Sequence, residues 1–245
     1  MLLAPVFSSV NMPVRMRAFL AISLAVLVTP LQDLDVAFEQ TSWLQLAPIF
    51  AGEILLGLMM GFGVRLLFIG VQLAGQVIGH MSGMQLADVF DPSSDTNIPV
   101  FSQLLDMLML AVFLVIGGHR RLMSALLDSF QTIPVGAAQM QNSAIEDLKD
   151  VVSASFHLSL QVGAPAMIAL LAATLILGFV SRTLPQINAI QVGFNVNSFV
   201  IFLVLIVSLG AMVGMFEGQF DWLLDRLDKM PFLPEETAEV SQVIP

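Results

Sequence analysis

Three charged side chains stand inside otherwise apolar runs: Glu53, Arg65 and Asp106. A charge in low-dielectric surroundings is costly, so it pairs, faces protein or lines water. Three readings are open to these residues: a mutual ion pair, a position at an interface outside the hydrocarbon, or a relay that passes protons or ions. A relay wants a chain of several acids, which the runs lack. Nucleophilic and metal chemistry find less support. His80, His119 and His157 lie far apart, with no i, i+4 pair for a metal. Cysteine is absent, which removes disulfides, thiolate ligands and a Cys nucleophile. Ser82 lies near His80 at a spacing that matches no nucleophile motif, and His157 and Ser159, two apart on a helix, diverge. No glycine-rich turn leads to Lys-Ser or Lys-Thr, so there is no nucleotide loop. The expectation is a protein that is not an enzyme and holds no cofactor.

Small residues recur at helix-packing spacing. Gly57 and Gly61 are four apart, and so are Gly75, Gly79 and Gly83. Such faces let helix backbones approach closely. They read as ordinary packing surfaces or, more sharply, as a moving joint. The 15 methionines, among them Met59, Met60, Met81, Met84, Met107 and Met109, read as core filling or as a compliant seal around a translocating polypeptide.

The elements that must position these residues are long and apolar. Hydrophobic residues make up 57% of the 245, charged residues only 11%, and the mean hydropathy is +0.87. A soluble domain carries about 25% charged residues. Too little polar surface exists to wet a globule, so the solvent is lipid or neighbouring subunits. The net charge is −10, and without a basic face a nucleic-acid partner is not expected.

Residues 1–10 read as the end of a helix whose beginning is missing, since no basic stretch precedes the first apolar run. Ala18–Val28 is a short apolar run closed by Thr29-Pro30. From Trp43 to about Met84 runs one apolar stretch of some forty residues. At 1.5 Å per residue it would reach ~60 Å, against a bilayer core of ~30 Å. It is expected either to bend near Gly61-Phe62-Gly63 or to be a helix pair that leaves the bilayer. Gln85–Pro99 is rich in turn formers and reads as a loop; Ile98–Gly118 is the next span, and Leu122–Phe130 a short amphipathic helix. Ala144–Ser181 reads as a long helix with Pro165 as a candidate kink, broken at Arg182–Gln186. Ile187–Phe216 holds no charge in thirty positions. Residues 1–230 are read as one helical membrane domain and 231–245 as an acidic, disordered tail.

Several stretches, in order along the chain, resemble the FliR family of the bacterial flagellar export gate and, more loosely, its SctT-type injectisome relatives. They are Ala4–Ser8 with Pro13–Arg17; Glu53–Gly57 with Gly61-Phe62; and Ala74–Gly79 through Met81 and Gly83 to Phe90-Asp91-Pro92. Then come Asn97–Val100 before Asp106–Leu108; Gly118-His119 with Phe130, Pro134 and Gly136; and Gly178, Arg182, Pro185, Gln186, Asn188, Gly193 and Phe194. Each is short, but the ordered set from residue 4 to about 220 is specific. Two departures stand out. The family carries a fuller first helix, so about one apolar segment is expected to be absent here. The family also places proline soon after the Gly-Phe pair, where this chain has Asn195; a helix break is less enforced there.

The resemblance implies an all-α fold of integral membrane helical hairpins and a structural role. FliR-like proteins assemble with FliP and FliQ into a pore-forming complex, beside FlhB and FlhA, that passes unfolded flagellar proteins across the inner membrane at the basal body. Much of that complex is raised out of the usual membrane plane, which would let over-long helices bury against sister subunits. The family's plug maps to about Met84–Asn97, with Met84, Leu86, Val89, Phe90, Asp91 and Pro92 as its gating residues. The alternatives are an injectisome homologue and a small-solute or ion transporter using Glu53, Arg65 and Asp106.

Overall fold

The computed structural model of the chain describes residues 13–31, 43–83, 99–132, 143–184 and 189–228, and every regular element among them is helical. Helix α1 (Val14–Val28) is extended by a single 3-10 turn, Thr29–Leu31. The others are α2 (Trp43–Ser82), α3 (Val100–Val115), α4 (Gly118–Thr132), α5 (Ser143–Thr183) and α6 (Ala189–Asp228). Residues 1–12, 32–42, 84–98, 133–142, 185–188 and 229–245 lie outside the described set, and with them the expectations for the N-terminal segment, the plug loop and the acidic tail.

The helices follow from the apolar runs, because a backbone away from water must satisfy its own N–H and C=O groups. Side-chain hydroxyls obey the same rule by bonding back one turn. Ser198 donates to the Phe194 carbonyl at 2.8 Å and Ser208 to the Val204 carbonyl at 2.7 Å. The helix ends carry their own signals. Gly83 and Gly117 have φ of +80° and +70°, the left-handed conformation that glycine adopts without a Cβ penalty. Their N–H groups donate to the carbonyls of His80 and Leu114. At the second break the chain bends by 63° between α3 and α4. Helix α3 begins on the carbonyl of Pro99, which accepts from the N–H groups of Ser102 and Gln103.

Three of the described helices, α2, α5 and α6, are long and apolar enough to cross a membrane, and the number rises to four if the bent pair α3–α4 is taken as one broken span. The all-α membrane fold expected from composition is the fold observed. One local expectation needs correction. The stretch after Trp43 is neither bent at Gly61–Gly63 nor split in two; α2 is one helix of 40 residues. Those glycines interrupt no hydrogen bond, as a proline would, and the absent Cβ of Gly63 is used for packing: one placed there would lie 3.0 Å from a Leu223 methyl. Helix α5 runs through Pro165 without ending there, and α6 runs through Asn195, as expected where asparagine enforces no break.

The chain groups into two compact units. One comprises residues 1–66, 114–152 and 220–245, the other 67–113 and 153–219. In the second, Phe68 of α2 stands edge-on to Phe113 of α3 and Phe216 of α6, with centroids 5.7 and 5.5 Å apart. Gly75 abuts Ser102 and Gly79 abuts Pro99, so α2 and α3 run antiparallel as a hairpin. Gly70 abuts Ser155 and Ala74 abuts Gly163, so α5 runs parallel to α2. Phe68 meets Phe216 while Ser82 meets Asn197, so α6 runs antiparallel to α2. In the first unit, Leu56 and Met60 of α2 are buried against Ala125 and Leu126 of α4 and Leu227 of α6.

Burial is concentrated on α2. Half of its most apolar window is buried within the chain, against 28% for α5 and 22% for α6. Phe179, Phe199, Ile206 and Val207 are each about seven-tenths exposed or more. Faces this apolar are compatible with lipid or a sister subunit, not with water.

The glycine contacts give a direct test. A Cβ at Gly75 would lie 2.4 Å from the Ser102 Cα, and one at Gly70 2.3 Å from the Ser155 carbonyl oxygen. Gly75→Ala or Gly70→Ala should each lower stability by about 1–3 kcal/mol, the usual cost of overpacking. Gly210→Ala, which meets open space, should be neutral or gain up to ~1 kcal/mol from helix propensity. Thermal unfolding in detergent, followed by circular dichroism, would rank the three. The reverse order would remove the close-approach account.

Candidate functional site

The polar side chains among the helices fall into two groups, one in each unit. In the second unit, Gln72 of α2 holds the hairpin to α3 from both of its ends. Its side-chain Nε2 donates to Asp106 Oδ1 at 2.7 Å, and its carbonyl accepts from the Ser102 hydroxyl at 2.9 Å. Asp106 is half-buried. The contacts 72–106, 75–102 and 79–99 step along the two helices in antiparallel register. The acid expected to serve an ion pair or a relay is therefore held by a neighbouring amide, as a positioning contact.

At the end of α2, Ser82 donates to the Gly79 carbonyl at 2.7 Å, and its own carbonyl accepts from Asn197 Nδ2 at 3.4 Å. The Ser82 proton is thus directed at its own helix, and His80 is exposed. His157 is exposed and Ser159 buried, so that pair diverges as its spacing dictates. Among the described residues no three His, Cys, Asp or Glu side chains gather as metal ligands.

In the first unit, charge is organised around α6. Arg226 donates through Nε to Asp147 Oδ1 at 2.7 Å and through NH2 to Asp150 Oδ2 at 2.6 Å. The two acids are three apart on α5 and so share a face. Asp147 is buried and Asp150 exposed. One turn earlier on α6, Asp221 accepts from Arg121 of α4, with both groups exposed. The last turns of α6 are therefore tied to α4 and to the start of α5.

Glu53 and Arg65 lie twelve positions apart on one helix, ~18 Å along its axis, so they do not pair with each other. Both are half-buried. Gly61 is buried on α2, whereas Gly57 is exposed, and a Cβ placed on it would meet nothing within 4 Å, so among the described residues no helix packs closely on it. The i, i+4 rule treats the faces of a helix alike, and only the fold decides which face meets a neighbour. Arg182 is exposed in the last turn of α5. A Cβ placed on Gly193 would lie 3.6 Å from a Leu177 methyl, and Phe194 is exposed. Pro185, Gln186 and Asn188, and the gating residues Met84, Leu86, Val89, Phe90, Asp91 and Pro92, lie outside the described residues.

Sequence reasoning missed Gly70, which stands five before Gly75 and so off the four-residue series. It missed Gln72, an uncharged residue with nothing to mark it in sequence. It also passed over the Arg226 clamp, although Asp147-x-x-Asp150 on one helix face was a readable signal.

The two ionic contacts differ in what their loss exposes. Arg226→Ala strands a buried carboxylate, Asp147, and should cost roughly 1–3 kcal/mol. Arg121→Ala breaks an exposed pair and should cost about 1 kcal/mol or less. Parallel unfolding curves at low and high salt measure both; equal losses for the two variants would show that burial of Asp147 adds nothing.

This arrangement of interlocked helices, held by close contacts and a few polar ties, can bear load and offer surfaces. A profile of the bacterial export proteins, family 1, matches residues 1–223. The chain is 29% identical over 238 residues to the flagellar biosynthetic protein FliR of Escherichia coli K12, covering 94% of this chain and 89% of that one. It is 28% identical over 227 residues to FliR of Bacillus subtilis 168 (91% and 86%), and 25% over 213 residues to FliR of Caulobacter vibrioides (87% and 85%). The family match spans all the described helices except the last turns of α6, and on that basis the chain belongs to the bacterial export proteins, family 1.

Proposed function

We propose that this chain is the FliR-type subunit of a flagellar type III export gate, a multi-pass protein of the bacterial inner membrane that sits in the flagellar basal body. It assembles with FliP and FliQ homologues into a pore, next to FlhB and FlhA homologues, and helps pass unfolded flagellar proteins. The observation that carries this reading is the match to the export family over residues 1–223, together with relatives from several bacteria that are named as flagellar. The structure adds a physical reason to expect sister subunits. Helices α5 and α6, of 41 and 40 residues, extend ~60 Å, about twice a bilayer core, and leave most of their apolar surface uncovered by their own chain.

In this reading the subunit is a structural wall, and the energy for export comes from other components. The second-unit hairpin is its rigid part, and the segment Met84–Asn97 that follows α2 serves as the plug, since it combines apolar side chains with an Asp-Pro-Ser-Ser turn. A relay through Glu53, Arg65 and Asp106 has less support, because Glu53 and Arg65 are ~18 Å apart along α2.

Two measurements test the proposal together. The tagged chain, co-expressed with the FliP and FliQ homologues of its own bacterium, should co-purify with both after detergent extraction. Deleting its gene should abolish flagella and motility while leaving other secretion intact. A chain that purifies alone and drives ion flux in liposomes would replace the gate with a transporter.

A further inference from the structure

Among the described residues nothing explains a glycine at position 57. Its φ is not in the left-handed region and a Cβ there would meet nothing within 4 Å, so neither conformation nor close approach requires glycine. Yet glycine in a helix interior costs about 1 kcal/mol relative to alanine. The open space beside it is a cleft of about 60 Å³ lined by Glu53, Leu56, Gly57, Leu126, Ser129 and Phe130, built from α2 and α4 within the first unit.

The lining selects its guest. The floor is apolar, since Leu56 is buried against Leu126. Both polar side chains present acceptors. A carboxylate such as Glu53 has about four lone-pair sites, so a contact already made does not exhaust it. The Ser129 hydroxyl gives its proton to the Leu126 carbonyl at 2.8 Å and keeps only acceptor lone pairs for anything else. Apolar walls with acceptors alone suit a donor at the end of an apolar stem. A lysine or arginine side chain is built that way. A volume of about 60 Å³ admits the end of one such side chain, given that one water needs roughly 10–15 Å³. On the same stretch of α2, Phe50, Ile54 and Leu58 are 60%, 62% and 49% exposed, an apolar surface of the kind a second helix covers.

We infer that this cleft receives a basic side chain from a helix of another subunit, with Gly57 giving it room and Glu53 taking its charge. The inference rests on the reading of the chain as an assembling gate subunit.

The chain contains no cysteine, so Ile54→Cys introduces a single thiol on the exposed surface beside the cleft and leaves Gly57 and Glu53 in place. This variant is co-expressed with the FliP and FliQ homologues, the complex is purified, and a maleimide-benzophenone probe on the introduced thiol is photo-activated. Mass spectrometry should place the cross-link on a helix of a second subunit, next to a lysine or arginine. Adding Glu53→Lys should lower the cross-link yield at least tenfold, and reversing the partner's basic residue to glutamate should restore it. Cross-links confined to this chain or to lipid, or an adjacent helix with no basic residue, would overturn the inference while the gate reading stands. So would a yield that Glu53→Lys leaves unchanged. Failure of the unaltered chain to co-purify at all would sink the gate reading, and this inference with it.

Discussion

The fold depends on how closely two helix backbones can approach on α2. Within a membrane there is no hydrophobic drive to press helices together, because lipid tails are as apolar as leucine. What remains is short-range dispersion and hydrogen bonding, and both need near contact. Gly75 against Ser102 and Gly70 against Ser155 supply it: at each place even one methyl group would overlap backbone atoms. At that separation the Ser102 hydroxyl reaches the Gln72 carbonyl, and Gln72 reaches Asp106. Phe68 can then lie edge-on to both Phe113 and Phe216. Spread the backbones and these contacts are lost together.

The first unit is held on another principle. Its apolar contact, Leu56 and Met60 against Leu126 and Leu227, is small, and charged side chains at the end of α6 add the rest. Arg226 spans two acids one turn apart on α5. Its planar fork with several N–H donors suits two carboxylates at once, where a lysine would present a single point charge. The buried member, Asp147, makes that contact matter beyond the exposed pair beside it.

Uncovered surface is the other constraint. A chain that buries only 28% and 22% of the most apolar windows of α5 and α6 is not finished as a monomer in water. Gly57, Gly210, Gly214 and Gly218 each face open space on a helix, and glycine there gains nothing from the chain's own packing.

Composition alone determined the solvent, and with it the class of fold. Charged residues at 11% cannot wet a globule, a backbone in apolar surroundings must bond to itself in helices or a closed barrel, and apolar runs of some forty residues are far too long for strands, so long helices follow. The order of short motifs along the chain was enough to indicate the family. Spacing placed the glycines on helix faces, yet it treated Gly57 and Gly75 alike; the fold sets one against open space and the other against a backbone. Glu53, Arg65 and Asp106 looked like one charged set, because sequence shows that a charge is costly without showing who meets it. Tertiary structure gave Asp106 to Gln72, and gave Asp147 and Asp150 to a cation some eighty residues away. Local periodicity is written into each helix by its own residues. Partner choice depends on which helices become neighbours, and that is decided only when chain segments far apart in sequence are packed together.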